Sequence, residues 1–481
     1  MQSVAHSLVA VLLCTASAAS AVRVVANSTL GSDPQTVNRL NGESFQQDAL
    51  VTFNGYQYAA FWTTDAANAS VRHPSLSRQT LSASVNASDP TWETFTFTDY
   101  NQTEDDGHDI ISLGVAPSDG TVHLSFDHHD NVLKYRASKA RTATDPASTP
   151  WSADLFGATL DYLPGTESLN KTTYFGSVTY PRFLRSSSSA SASFLFELRI
   201  GRSGLGDDWL YEYDGGGNWT LVGKYLEGVN NNAYINGLDF DHKGNLVTTW
   251  TYRDYVNDTG KNVAVQAGPN GPENNHDMDF ATSPDLGRTW LNTWGQPIAN
   301  TTAGRPILPG SAGITVFSIP KYGGILNQEA QTVDEEGRVH VLNRENTTGT
   351  EQWYHYWRST TSHWTRTPLP LTLSSANASQ ALLNPNITRT PTVIGKRGKL
   401  AALSTSLFAL LPSNAPNSTA LSVLRSTAAG HFRNWQVVWE AASGSRAEVL
   451  YDRYRLAADG VLSLFLVDGV ELRVVDLELE L

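Results

Sequence analysis

The chain has 481 residues and carries 34 Lys and Arg against 47 Asp and Glu, a net charge of -13. That acidic balance argues against a nucleic-acid partner, and no segment after the N-terminal region is apolar over the length a membrane span needs. The single cysteine, Cys14, excludes an intrachain disulfide, so a chain of this size must rest on a large core or a closed architecture.

In chain order, Leu8–Ala19 is a short apolar run followed by the small residues Ala19-Ser20-Ala21. This layout predicts a cleaved secretory leader over residues 1–21, with residues 22–481 forming one secreted domain. Sequons recur downstream, at Asn27, Asn68, Asn101, Asn218, Asn346 and Asn417 among others, as on a glycosylated exterior. The rest reads as short strands rich in aromatic and β-branched residues, broken by Gly, Pro, Asn and Ser, with no long amphipathic helix.

One unit repeats: an apolar strand, a tight polar turn and a second apolar strand. It occurs as ALVTFNGYQYAAFW around Gly55, IISLGVAPSDGTVHLSF around Gly120, GLDFDHKGNLVTTW around Gly244, AQTVDEEGRVHVL around Gly337, TPTVIGKRGKLAAL around Gly398 and YRLAADGVLSLFLV around Gly460. A seventh copy, YPRFLRSSSSASASFLFEL, has a serine-rich tip instead of glycine. Seven such hairpins predict an all-β, seven-bladed β-propeller, whose closure protects the strand edges. SPDLGRTW, Ser283 to Trp290, matches the Asp-box of sialidase-type propellers, a structural hairpin turn.

The turn of a hairpin fixes which residues face each other at its open end. This register sets His108 opposite His128 or His129, Tyr180 opposite Arg199, Tyr234 opposite Arg253 and Gln328 opposite Arg344, with Arg389 at the corresponding strand start of the sixth blade. All these open ends share one face of the ring. His276, in NNHDMDF, is a further candidate for the funnel, whereas His123, His242 and His340 fall at the turn end. An array of His, Tyr and Arg on an acidic protein predicts a site for an anionic ligand.

Those residue types suit β-elimination at a 4-linked uronate. Arginine neutralises the carboxylate, which makes the C5 proton removable. A neutral histidine takes that proton, and a histidine or tyrosine returns one to the leaving oxygen. No cofactor is required. Asp105, Asp106 and Asp109 flank His108 as candidates to orient it or to hold a structural calcium, although their spacing matches no calcium loop.

GHDIISLGVAPSDGTVHLSFDHH (Gly107–His129), TYPRFLR (Thr179–Arg185), LFELR ending at Arg199 and NAYINGLDFD (Asn232–Asp241) together resemble the BNR-4 propeller family. The resemblance implies a polysaccharide lyase related to ulvan lyases and most similar to the fungal L-rhamnose-α-1,4-D-glucuronate lyases that trim gum arabic side chains. It implies catalytic roles for His128, with His108 beside it, and for Tyr180 and Arg199. Tyr234, Arg253, His276, Gln328, Arg344, Arg389 and His129 are then expected to bind the acidic polysaccharide. The protein is expected to act as a monomer without membrane or nucleic-acid partners.

Two other functions fit the same scaffold. An α-L-rhamnosidase would act on the same linkage with other residues. A lectin would repeat one shallow pocket per blade, whereas these blade ends differ from one another.

Overall fold

Strands that alternate a face toward each neighbouring blade bury both faces once a ring closes, which is why the hairpins are apolar throughout. The computed structural model describes residues 22–479 apart from 44, 46–47, 82–90, 187–192, 203–205, 229–231, 254–273, 378–379, 390–395 and 416. The expected leader, the tip of the serine-rich hairpin and the TPTV start of the sixth copy lie outside the described residues.

The strands form seven sheets, one per blade, in a seven-bladed β-propeller, and pair antiparallel except where the short Ser374–Ser375 strand joins blade 6 in parallel. Blade 1 is Leu50–Phe53, Tyr56–Thr64, Arg72–Thr80 and Glu93–Thr96. Blade 2 is Ile111–Val115, Val122–Phe126 and Tyr135–Ala137; blade 3 is Val178–Arg185, Phe194–Ile200, Asp207–Tyr213 and Trp219–Leu226. Blade 4 runs from Ala233–Phe240 through Leu246–Arg253 and Asn275–Ser283 to outer strands ending at Asn300, with Thr315–Phe317 added beside the third. Blade 5 is Ala330–Val333, Val339–Glu345, Gln352–Arg358 and Trp364–Pro368. Blade 6 is Lys399–Leu403, Ser406–Pro412, Leu421–Thr427 and Gln436–Ala441. Blade 7 is Leu450–Tyr451, Val461–Asp468 and Glu471–Leu479, completed by the N-terminal strand Val22–Ser32. That last pairing runs from Val22 opposite Leu479 to Ser32 opposite Glu471 and closes the ring.

The core lies between blades rather than at one centre. Val51, Tyr58 and Trp62 of blade 1 pack on Ile111, Leu113 and Phe126 of blade 2. Leu50 and Phe61 on the other face meet Phe465 and Val474 of blade 7. Close approach is built in: a Cβ on Gly114 would lie 2.5 Å from that of Phe183 in blade 3. The Asp-box turn is structural, with Thr289 N–H donating to Asp285 Oδ1 (2.7 Å), Gly287 N–H to Ser283 Oγ (2.8 Å), and Trp290 fully buried.

Two of the seven expected hairpins differ. YRLAAD is not a strand but the helix Arg453–Asp459, capped by Asp452 at its start and by Gly460 (φ 67°) at its end. The inner strand of blade 7 is the short Leu450–Tyr451 before it. In blade 6 the turn is Ser404-Thr405, between Lys399–Leu403 and Ser406–Pro412, and Gly398 precedes the first strand. Ser404 takes the positive φ of 53° that was expected of a glycine. Among the described residues, no helix is long and apolar enough to cross a membrane.

Asp452 is fully buried, caps that helix through the N–H groups of Tyr454 and Arg455, and accepts from Thr52 Oγ1 (2.6 Å) and Gln57 Nε2 (2.9 Å) of blade 1. Asp452→Ala removes the cap and strands two buried donors, so it should cost about 2 to 4 kcal/mol. The measurement is the midpoint of urea unfolding, and an unchanged midpoint would refute the joint role.

Candidate functional site

Backbone strain marks one face of the ring. Asp127 (φ 62°), Asp130 (φ 60°), Tyr180 (φ 58°), Asn232 (φ 37°) and Gln328 (φ 56°) all adopt left-handed conformations that non-glycine residues avoid. Each lies at or just before the open end of an inner hairpin, and such strain gathers where a side chain must be aimed. The turn at Asp127 carries the chain out of blade 2. Residues His129–Asn131 then pair with Val178 and Thr179 at the inner edge of blade 3.

The rings of Phe45, His108 and His129 form a stack. Phe45 and His108 are 5.3 Å apart between centroids and 15° from parallel; His108 and His129 are 3.8 Å apart and 18° from parallel. One carboxylate holds both imidazoles: His108 Nδ1 donates to Asp106 Oδ1 (2.6 Å) and His129 Nδ1 to Asp106 Oδ2 (2.5 Å). Both Nε2 atoms therefore lie on the far side of their rings from Asp106. The three side chains are about one-third exposed, unlike the buried groups around them.

Tyr180 stands beside the stack, 5.3 Å from Phe45 and 5.8 Å from His108 by ring centroids. Behind it lie the cations. Arg199 sits 4.9 Å from the Tyr180 ring, Arg253 sits 4.6 Å from the Tyr234 ring, and Arg397 sits 6.0 Å from the Phe45 ring. Arg199 donates to Asp130 Oδ1 (2.8 Å) and Thr179 Oγ1 (3.1 Å), and Arg253 to Asn275 (3.0 Å) and Asn327 (2.8 Å). Arg397 pairs with the fully buried Glu448 (3.0 Å).

Electrostatics separates the two histidines. Burial lowers the pKa of His108, and neighbouring His129 and Arg199 add to the effect against the pull of Asp106. Burial also opposes charge on His129, but the bond to Asp106 and the field of Asp106 and Asp130 outweigh it and raise the pKa. Asp106 is held well below the usual carboxylate range by its two imidazole bonds, in spite of burial. Burial raises the Tyr180 phenol although Arg199, Arg253 and Arg397 all act to lower it, so the phenol keeps its proton. Of the two imidazoles, His129 therefore holds its proton to the higher pH.

The expected residues are distributed unevenly around this stack. His108, His129 and Tyr180 are in it, and Arg199, Tyr234 and Arg253 lie behind it. The register is slipped: Thr179, not Tyr180, faces Arg199, and Thr251, not Arg253, faces Tyr234, because bulges interrupt both hairpins. His128 departs from its expected place. Neighbouring residues of an extended chain point to opposite sides, and the His128 ring is 1 % exposed, with Nε2 accepting from the Lys134 N–H (2.8 Å). Burial beside Lys134 holds its pKa well below that of free imidazole.

Arg344 is committed to Glu329 (2.6 Å) and to the Lys396 carbonyl (2.7 Å), and Gln328 beside it is 2 % exposed. Arg389 is exposed and bridges to Gln352 in the third strand of blade 5, because the blade 6 hairpin starts later than expected. His276 lies on the third strand of blade 4, opposite Tyr252, and bonds Asp277 (2.9 Å).

Phe45, Asp130 and Arg397 were missed by the sequence reading. Phe45 belongs to no hairpin and Arg397 stands in a misplaced one, whereas Asp130 follows a motif histidine and was within reach. Of the weighed acidic residues, Asp105 caps the N–H groups of Val37 and Asn38 and Asp109 is buried; only Asp106 joins the stack. Asp106, His108 and His129 place one ligand atom each within 4.8 Å of one another. Two imidazoles and one carboxylate do not fit calcium, which takes six to eight oxygens.

A family model described as a BNR repeat-containing family member matches residues 56–371. The long isoform of ulvan lyase from Alteromonas sp. (strain LOR) is 26 % identical over 281 residues, and that from Pseudoalteromonas sp. (strain PLSV) is 25 % identical over 271. Each match takes in 50 % of this chain and 26 % of the relative, so the chain matches about a quarter of those proteins' length. Among solved structures, polysaccharide lyase Uly1 aligns with a TM-score of 0.64 at 16 % identity over 90 % of each chain. A PL25 ulvan lyase bound to -[GlcA(1-4)Rha3S]- aligns with a TM-score of 0.56 at 12 % identity over 94 % of each. At these identities the structural likeness is one of fold.

The Asp106–His129 pair contributes stability that is fully present below the ordinary imidazole pKa of about 6.5 and is lost as pH rises through the raised value. In proton NMR titrations, His129 should titrate above that value and His108 below it. In Asp106→Asn both should fall, and His129 should drop below the free-imidazole value. A His129 unaffected by Asp106→Asn would contradict the assignment.

Proposed function

The chain belongs to the BNR repeat-containing family, and on that footing we propose that it is a polysaccharide lyase that cleaves the L-rhamnose-α-1,4-D-glucuronate linkage by β-elimination. The observation that carries this reading is the pair of stacked imidazoles held by one carboxylate, with pKa values driven apart beside Tyr180 and three arginines. Environments that separate two like groups mark an acid and a base.

In the proposed reaction His108 Nε2, neutral, removes the C5 proton of the glucuronate. The C5–H electrons form the C4=C5 bond and the C4–O4 bond breaks. His129, protonated, gives its proton to the departing O4 and frees rhamnose. In a 4-linked D-glucuronate the C5 proton and the C4 oxygen leave from the same side, which suits two imidazoles presenting Nε2 in parallel. A proton passed from His108 back to His129 or through solvent restores the starting state. Tyr180, kept as a phenol, is placed to hydrogen-bond near the reacting carbons. Arg199, Arg253 and Arg397 supply the positive field that a carboxylate needs while C5 gives up its proton. Arg199 is 1 % exposed, so its part is to orient Asp130 and Tyr180 and to add to that field rather than to meet solvent.

The ulvan lyase relatives support elimination on a rhamnose- and glucuronate-containing polymer. The gum-arabic-type side chain, as opposed to an ulvan, follows from the motif resemblance and is part of the proposal. So are secretion after removal of residues 1–21, glycosylation, action as a monomer and chemistry without a cofactor.

The test is incubation with gum arabic while ultraviolet absorbance and free rhamnose are followed together. Both should rise, because the unsaturated uronate is conjugated. His108→Ala and His129→Ala should each lower kcat/KM by about 10²- to 10⁴-fold, while His128→Asn should retain the rate per folded molecule. The pH profile should be bell-shaped, rising through the lowered pKa of His108 and falling through the raised pKa of His129. Rhamnose without absorbance would make the protein a hydrolase and overturn the reading. Absorbance from ulvan alone would keep the elimination and change the substrate.

A further inference from the structure

A cavity of about 250 Å³ lies inside the ring, with none of the stacked histidines in its lining. Its lining comes from the inner strands of blades 3 to 6 and their turns, including His242, from Asp48 before blade 1 and from the short helix of blade 7. We propose that this cavity is a second carbohydrate site, which takes an uncharged sugar of the deoxyhexose class. It is separate from the elimination site and independent of the proposed activity.

Preorganisation is the first argument. Arg453 donates through Nε and Nη2 to both oxygens of Asp48 (2.9 Å each) and through Nη1 to Asp239 Oδ1 (2.8 Å). Gln331 Nε2 donates to Asp239 Oδ2 (2.7 Å). Residues of blades 1, 4, 5 and 7 are thus locked together around the cavity, and a ligand that meets them orders nothing further.

Unspent hydrogen-bonding capacity is the second. Gln331 Oε1 and Arg185 Nη1 belong to lining residues, are buried, and have no hydrogen-bond partner among the described residues. The Arg185 guanidinium lies 3.9 Å from the Tyr454 ring and 5.1 Å from the Phe53 ring, which fixes its orientation. An acceptor and a donor left without partners on two lining residues are groups that the hydroxyls of a sugar ring would satisfy after a small side-chain shift.

Charge and shape select the class. The lining includes five carboxylates, Asp48, Asp239, Asp241, Asp334 and Glu335, against Arg185, Lys399 and Arg453. That surplus disfavours a uronate or a sulfated sugar, the reverse of the arginine-backed stack. Leucines 184, 400 and 456 with Val333 give the wall an apolar portion for ring CH groups and a methyl. The volume lies just below the usual small-ligand range of about 300 to 1,000 Å³, which fits one or two sugar units.

The probe is methyl α-L-rhamnoside, titrated by calorimetry into the whole protein. Ala457 is exposed at the cavity rim, so Ala457→Trp blocks the mouth without touching the core, and Gln331→Leu removes the free acceptor. Ala457→Trp should keep the parent's unfolding midpoint, and both variants, compared where each is folded, should keep the rate on polysaccharide and bind the rhamnoside at least about tenfold more weakly, roughly 1.4 kcal/mol. Three results would overturn the proposal: no binding by the parent protein, unchanged binding in both variants, or loss of binding and of elimination together. Should the parent show no elimination on any polymer, the binding comparison still decides this proposal.

Discussion

Ring closure by the N-terminal strand is the constraint on which the structure depends. A row of blades leaves an unpaired strand edge and an uncovered apolar face at each end. Here Val22–Ser32 pairs along Glu471–Leu479 and makes the first residues of the domain the outer strand of the last blade. The apolar faces of blades 1 and 7 then cover each other through Leu50, Phe61, Phe465 and Val474. Without disulfides among residues 22–481, this clasp and the buried Asp452 junction carry the load that cross-links carry in smaller domains.

Closure also explains why a demanding site can be built from short loops. The inner strands of blades 3 and 4 are buried along most of their length, so strained residues at their open ends are held by the packing behind them. Tyr180, Asn232 and Gln328 share this position in three successive blades. The carboxylate of Asp106 turns that rigidity into chemistry. It binds two imidazoles at once, yet its single charge supports only one added proton, and the added field of Asp130 on His129 favours that ring.

Four of the hairpins were legible because their turns obey simple rules: Gly55, Gly120, Gly244 and Gly337 adopt the positive φ that only glycine takes freely. The same rule misled in blades 6 and 7. Gly398 has no positive φ, and the turn fell on Ser404; Gly460 has one, but as the cap of a helix whose sequence alternates like a strand. At the site, register placed two histidines opposite each other but could not choose between His128 and His129. That choice hangs on the left-handed turn at Asp127, and an aspartate does not announce one. Phe45 and Arg397 reach the stack only through the closed ring, so no local pattern contains them.

Propellers are commonly thought of as interchangeable blades, each a self-contained module that duplication can copy. His129 breaks that modularity. By sequence it finishes blade 2, yet its backbone pairs with Thr179 of blade 3 and its ring stacks on His108. A recombination joint placed between these two blades would split the pair of imidazoles from the strand that positions one of them. In ancestral shuffling or laboratory chimeragenesis, blades 2 and 3 must be inherited as one unit.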